Sequence, residues 1–223
     1  MSLENLIDRP RKRLSTRYYQ PNCRACPRLA QFLDSVRERH PAYACRPVPS
    51  FGDLGSALLI VGLAPGLHGA NATGRPFTGD HAGILLYQTL HKFGFASVPE
   101  SNPGDDLVLR RCAVTNAVKC LPPENKPIAA EVNTCRKFLT HELEMVPKGG
   151  VILALGKVAH DSVVRTLGMR VGELIFGHAS EYPVPGGRTL LSSYHCSRYN
   201  TQTGRLTAEM FEAVFRRARA LLG

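Results

Sequence analysis

GLAPGLHGANATGRPFTGD (residues 62–80) follows directly on the apolar run Ala57-Leu58-Leu59-Ile60-Val61. Five uninterrupted apolar residues bounded by glycine have the length and composition of a buried strand. The segment that follows holds five glycines and two prolines, together with His68, Phe77 and the closing Asp80. Glycine presents backbone amides without side-chain bulk, so such a loop passes close to whatever it binds. Phe77 adds a face for stacking. A strand opening into a binding loop is the start of an α/β unit.

Working outward, two further segments repeat the pattern. NAVKCLPPENKP (residues 116–127) follows the strand-like Cys112-Ala113-Val114-Thr115, and HCSRYNTQTGRL (residues 195–206) follows Thr189-Leu190-Leu191-Ser192-Ser193-Tyr194. Strands are expected over 57–61, 111–115 and 151–155, with helices over 82–93, 129–146, 157–167 and 207–222. In the helix over 129–146, Val132, Cys135, Phe138, Leu139 and Leu143 share one face. In the last, Thr207 serves as N-cap, and Met210, Phe211, Val214, Phe215 and Ala218 form the inward stripe. Alternating strands and helices imply a mainly parallel sheet inside a three-layer α/β/α sandwich. In open sheets of this kind ligands gather beyond the carboxyl ends of the strands, where all three polar segments begin.

The 223 residues are 43% hydrophobic and show no repeat, so a single domain over residues 1–223 is expected. Lys and Arg number 28 against 18 Asp and Glu, a net charge of +10 that suits a polyanion. The opening MSLENLIDRPRKRL lacks the apolar centre of a signal peptide, and no run approaches the roughly 18 residues that cross a bilayer. A cytosolic protein without a membrane partner is expected, in which the sequon Asn71-Ala72-Thr73 carries no meaning.

Seven cysteines in such a compartment point to metal or redox chemistry rather than disulfides. Cys23-Arg24-Ala25-Cys26 is a C-x2-C pair within the N-terminal segment 1–50. Cys120 and Cys135 flank LPPENKPIAAEVNT. Zinc is the commoner four-thiolate guest, although the wide gap fits no zinc-finger spacing, and Pro27 after Cys26 echoes iron-sulfur runs. Spacing leaves the two metals even. Cys112 reads as a small core residue, and Cys45 and Cys196 are unassigned.

Neither G-x-x-x-x-G-K-[ST] nor G-x-G-x-x-G occurs, so nucleotide-triphosphate and dinucleotide sites lack their phosphate cradle, and no H-E-x-x-H is present. An aromatic platform, an asparagine, a histidine, an acid and many amides remain, a set suited to a nucleobase. Together the three segments resemble the uracil-DNA glycosylase superfamily, specifically its iron-sulfur branch, family 5 (UDGb). The first loop is similar to that family's GLAPG...GRPFTGD motif. HCSRYNTQTGRL is similar to its H-x-S-x-x-N-x-x-T-G-R-L element, and NAVKC with the following PP and second cysteine to its cluster-and-pocket segment.

The resemblance implies a uracil-DNA glycosylase-like fold. It implies a [4Fe-4S] cluster on Cys23, Cys26, Cys120 and Cys135 that braces the structure. It places an everted base on Phe77, with Gly62, Leu63 and Asn116 also in the base site and His195 at the carbonyl that gains charge. Pro65, Gly66 and His68 would face DNA, as would Arg198 and Tyr199, for which the resemblance leaves two roles open, wedging the emptied stack or touching phosphate. Leu63 stands where other branches carry a water-positioning polar residue, so Asp80, with Asn125 as a second polar candidate, is assigned to the water or the cation. Cys196 replaces a usual proline and Tyr199 a frequent glutamine, which leaves the angle of that loop into DNA open. The substrates implied are uracil and other deaminated bases such as hypoxanthine, hydrolysed by a monofunctional, monomeric enzyme that leaves an abasic site. A non-catalytic nucleic-acid-binding module with a structural metal and a nucleoside-processing enzyme are the competing classes.

Overall fold

The structure is a computed structural model that describes residues 19–223. The basic opening segment, residues 1–18, lies outside the described residues. Among the described residues, six strands form one sheet: β1 (Phe51–Gly52), β2 (Leu58–Gly62), β3 (Cys112–Asn116), β4 (Val151–Leu155), β5 (Glu181–Val184) and β6 (Arg188–Ser193), in the order β1-β3-β2-β4-β6-β5. The four inner strands are parallel, and each outer strand pairs antiparallel with its neighbour.

Among the described residues the α-helices are α1 (Pro27–Arg39), α2 (Ala70–Thr73), α3 (His81–Lys92), α4 (Ala129–Glu144), α5 (Lys157–Thr166), α6 (Arg198–Gln202) and α7 (Ala208–Leu222). Because successive side chains of a strand point to opposite faces, Leu58 and Ile60 pack with Leu86 and Leu90 of α3 and Phe211 and Phe215 of α7. Leu59 and Val61 pack with Leu139 and Leu143 of α4 and Val163 and Val164 of α5. That is the three-layer α/β/α sandwich expected. Thr207 caps α7 by accepting from the Met210 amide at 3.2 Å.

β2 is hydrogen-bonded to β3 on one side and β4 on the other, so the chain reverses its direction of travel across the sheet there. Gly62 ends β2, Asn116 ends β3, and the two residues are register partners. The loops leaving them therefore open at the topological switch point, the place where open parallel sheets bind ligands.

Candidate active site

A cavity of about 440 Å³ opens at this switch point, lined by Leu63, Ala64, Gly66, Phe77, Asp80, His81, Ala82, Asn116, Asn125, His195, Ser197 and Arg198. Gly62 lies directly behind two of these lining residues. A Cβ there would stand 2.4 Å from Asn116 Oδ1 and 2.6 Å from Phe77 Cζ, so only glycine lets these two groups share the cavity. Phe77 takes a left-handed φ of 60°, a conformation uncommon for a residue with a side chain. Gly83 accommodates that turn, since a Cβ would lie 2.0 Å from the Phe77 carbonyl oxygen. The strained turn directs the ring inward.

Phe77 and His195 face each other with centroids 6.0 Å apart and planes 24° from parallel. Slipping a third ring between two faces needs about 7 Å, twice a van der Waals separation. The gap between Phe77 and His195 is therefore too narrow for a third ring to be sandwiched between them. The imidazole is reachable from the cavity but otherwise walled by protein, and this desolvation lowers its pKa to about 4. It is neutral at pH 7, and one ring nitrogen carries a proton to donate. Gly156, at φ 91°, lets the His195 loop approach; its Cβ would sit 3.2 Å from that of His195. Asn200 donates from Nδ2 to the His195 carbonyl at 2.8 Å, and Ser197 caps α6 by accepting from the Asn200 amide.

Asp80 lies in the crook of the glycine loop. Its Oδ2 accepts from the Ala70 amide at 3.1 Å, and the Gly66 amide is a second donor. Burial nevertheless raises its pKa, the two amides offsetting only part of the cost of a desolvated carboxylate. Cβ atoms on Gly66 and Gly69 would come within 2.1 Å and 2.0 Å of this carboxylate, so the spacing of those glycines shapes its cradle. A buried acid with an upward-shifted pKa beside a neutral imidazole is an arrangement suited to proton transfer.

Beneath the floor, Lys119 and Glu142 form a buried ion pair with Nζ 2.7 Å from Oε2. The ammonium also donates to Thr115 Oγ1 at 2.6 Å and to the Asn116 carbonyl at 2.8 Å. The end of β3, and with it Asn116, is thus fixed from below.

The chain matches the Uracil DNA glycosylase superfamily over residues 49–219. It belongs to that superfamily. Among similar proteins, the type-5 uracil-DNA glycosylase of Thermus thermophilus is 49% identical over 90% of this chain and 94% of its own. The type-5 uracil-DNA glycosylase of Pyrobaculum aerophilum is 42% identical over 91% and 90%. A type-4 uracil-DNA glycosylase of Archaeoglobus fulgidus is 35% identical over 50% of this chain and 49% of its own.

Of the residues assigned from sequence, Leu63, Gly66, Phe77, Asp80, Asn116, Asn125, His195 and Arg198 converge on that cavity, with Gly62 behind it. His68 does not line it: its Nδ1 lies 2.9 Å from the Tyr43 hydroxyl, in an outer cluster where His40 stacks on Tyr43 at 4.6 Å. Tyr199 is 70% exposed outside the cavity, and Pro65 sits on the loop between Ala64 and Gly66. His81 and Ser197 are lining residues the sequence reading passed over. His81 followed the motif's acid without distinctive spacing, whereas the cap spacing of Ser197 and Asn200 was a usable signal.

The four assigned cysteines line a separate small cavity, with Leu29, Val118 and Phe138 around them. Arg28 brings the two halves together, pairing with Glu131 of α4 through Nε at 2.7 Å and Nη2 at 2.8 Å. Burial, reinforced by the neighbouring thiols, pushes Cys120 up to about 12. Burial also pushes Cys135 up to about 11, against the nearby Lys119 charge. The Lys119 amide donates to Cys135 Sγ at 3.3 Å, as a thiolate ligand favours. Among the described residues no group of three or more His, Cys, Asp or Glu side chains is drawn in tightly enough to hold a metal ion. The donor set suits a thiolate-bound metal centre, while its spacing remains that of packed free thiols. Cys112 is a buried core residue, as read from sequence, and Cys45 and Cys196 are buried too.

Proposed function

We propose that this chain excises uracil from DNA by hydrolysing its N-glycosidic bond. The observation that carries the reading is one cavity holding Phe77, Asn116, Asp80 and a neutral His195 at the switch point. A base inside a duplex is inaccessible, so the nucleotide is everted, which costs least for weakly paired or damaged bases. The ring stacks on Phe77 and the Asn116 amide reads its polar edge. As the bond between base and sugar breaks, its electron pair passes to the base. The protonated nitrogen of His195 faces the oxygen that gains this charge. Water adds to the sugar carbon, Asp80 accepts its proton, and an abasic site remains.

Hypoxanthine and other deaminated bases are further substrates in this reading, since Asn116 can present either a donor or an acceptor. Strand cleavage through a lysine imine is not part of it. Among the described residues lining the cavity there is no lysine, and Lys119 is committed to Glu142. Asn125 and Arg198 lie at the rim, Arg198 toward the DNA backbone with Pro65, Gly66, His68 and Tyr199. Cys23, Cys26, Cys120 and Cys135 would hold a [4Fe-4S] cluster, which would tie α1 to α4 and take no part in the hydrolysis. The protein acts as a single-domain monomer in the cytosol; among the described residues no helix is long and apolar enough to cross a membrane.

Release of uracil from a single-lesion oligonucleotide, lost in His195→Ala and Asp80→Ala, is the expected result. Wild-type protein that holds the oligonucleotide without releasing base would be a binding module instead, and turnover of free nucleosides alone would make it a nucleoside hydrolase. A brown solution absorbing near about 400 nm supports the cluster, and a colourless zinc protein refutes it.

A further inference from the structure

A second cavity, about 460 Å³, lies against the first. Phe77, Asp80, His81 and Arg198 line both, so these four residues form the partition. Its remaining walls include Ile84, 57% exposed, and Pro99, with the neutral hydrogen-bonding groups of Gln88, Ser101 and Asn102. The chamber equals the base site in size and falls in the range of specific small-ligand pockets.

The walls are held in place. Arg75 donates from Nη1 to Asp105 Oδ1 at 2.5 Å, Ser101 Oγ at 3.1 Å and the Asn102 carbonyl at 3.4 Å. Ser101 Oγ lies 2.7 Å from Thr78 Oγ1, next to Phe77 in sequence. The outer loop and the partition thus form one unit. Charge then limits what enters: the acids Asp80 and Glu100 border the chamber and Arg198 is the cation on its boundary. A phosphate in the interior meets carboxylates, whereas an uncharged planar ring meets apolar walls and neutral donors and acceptors. His81 Nδ1 is buried in the partition, with no hydrogen-bond partner among the described residues.

We propose that this chamber holds the base of a nucleotide adjacent, on the same strand, to the everted one. The proposal rests on the reading of the first cavity as the base site. The phosphodiester joining the two nucleotides then crosses the partition, where Arg198 meets it. The enzyme reads one flanking position as well as the lesion.

The test uses uracil oligonucleotides in which either the 5′ or the 3′ flanking base is replaced by a tetrahydrofuran abasic analogue. Wild-type kcat/KM is expected to fall about tenfold for one side, the value of one stacked and hydrogen-bonded base. In Ile84→Ala/Gln88→Ala the ratio between intact and abasic-flanked substrates should shrink toward one. Indifference of the wild type to both replacements, or an unchanged ratio in the variant, overturns the proposal. 2-Aminopurine at the sensitive flank gives a readout without turnover: its emission changes on binding to wild type and much less to the variant if the chamber is occupied. Should no uracil be released from the intact oligonucleotide, the glycosylase reading fails, while the emission change, or its absence, still decides occupancy.

Discussion

Replacing Gly66 with alanine tests whether the glycine loop exists to seat Asp80. The substitution removes no functional group, yet the new methyl carbon would stand 2.1 Å from Asp80 Oδ1 and 3.1 Å from its Cγ. Such contacts are essentially never found below 3.0 Å, so the carboxylate and the loop must separate by close to 1 Å. Asp80 has little freedom to comply, being bonded to the Ala70 amide at 3.1 Å and largely enclosed. A catalytic group displaced by about 1 Å typically costs on the order of a hundredfold in rate. Single-turnover release of uracil with excess enzyme should therefore slow by roughly that factor, while affinity for an uncleavable oligonucleotide changes much less. The loss should vanish in an Asp80→Ala background, because the two changes act through one group. A Gly66→Ala rate within about threefold of wild type, or a full extra loss on top of Asp80→Ala, would refute the reasoning, since both demand a carboxylate whose position does not matter.

Phe77→Ala should raise KM by roughly 5- to 150-fold, the value of one stacked base, and an unchanged KM would remove Phe77 from the base site. His195 has a folded pKa of about 4, below the unfolded value of about 6.5. The unfolded chain then binds the extra proton, so the stabilising contribution is complete above about pH 6.5 and is lost as pH falls toward 4. Denaturation between pH 4 and 7 should show a shallower dependence in His195→Gln, and an identical slope contradicts the burial argument. Lys119→Met strands the Glu142 carboxylate and should destabilise by about 3 to 5 kcal/mol in chemical denaturation, whereas Lys119→Met/Glu142→Leu recovers most of it. Cys135→Ser should lower bound iron and the thermal midpoint together; full iron content in that variant would exclude Cys135 as a ligand.

The inner strands and the helices packed on them were legible because their apolar periodicity is unbroken: Leu58 to Val61 are all fully buried, as a two-sided parallel strand requires. The convergence of three strand-end segments was legible for the same reason, since parallel strands deliver their carboxyl ends to one edge. β1 was not, being two residues long with Gly52 at φ 97°. Nor was β5, where Pro183 interrupts a mostly exposed strand. α1 is the unexpected helix whose signal the sequence does carry, in Pro27 as a helix-opening residue directly after Cys26 and in the stripe Leu29, Leu33 and Val36. The partition residue His81 and the ion pair of Lys119 with Glu142 depend on contacts between distant segments, which no local pattern encodes.

The two outer strands carry a further consequence. A flat, long border strand offers unpaired amides and carbonyls to any passing copy of itself, the usual route to ordered self-association. Here one border is two residues long and the other contains a proline that cannot donate. Among the described residues neither border is a long, unbroken template, which works against ribbon-like growth from copy to copy.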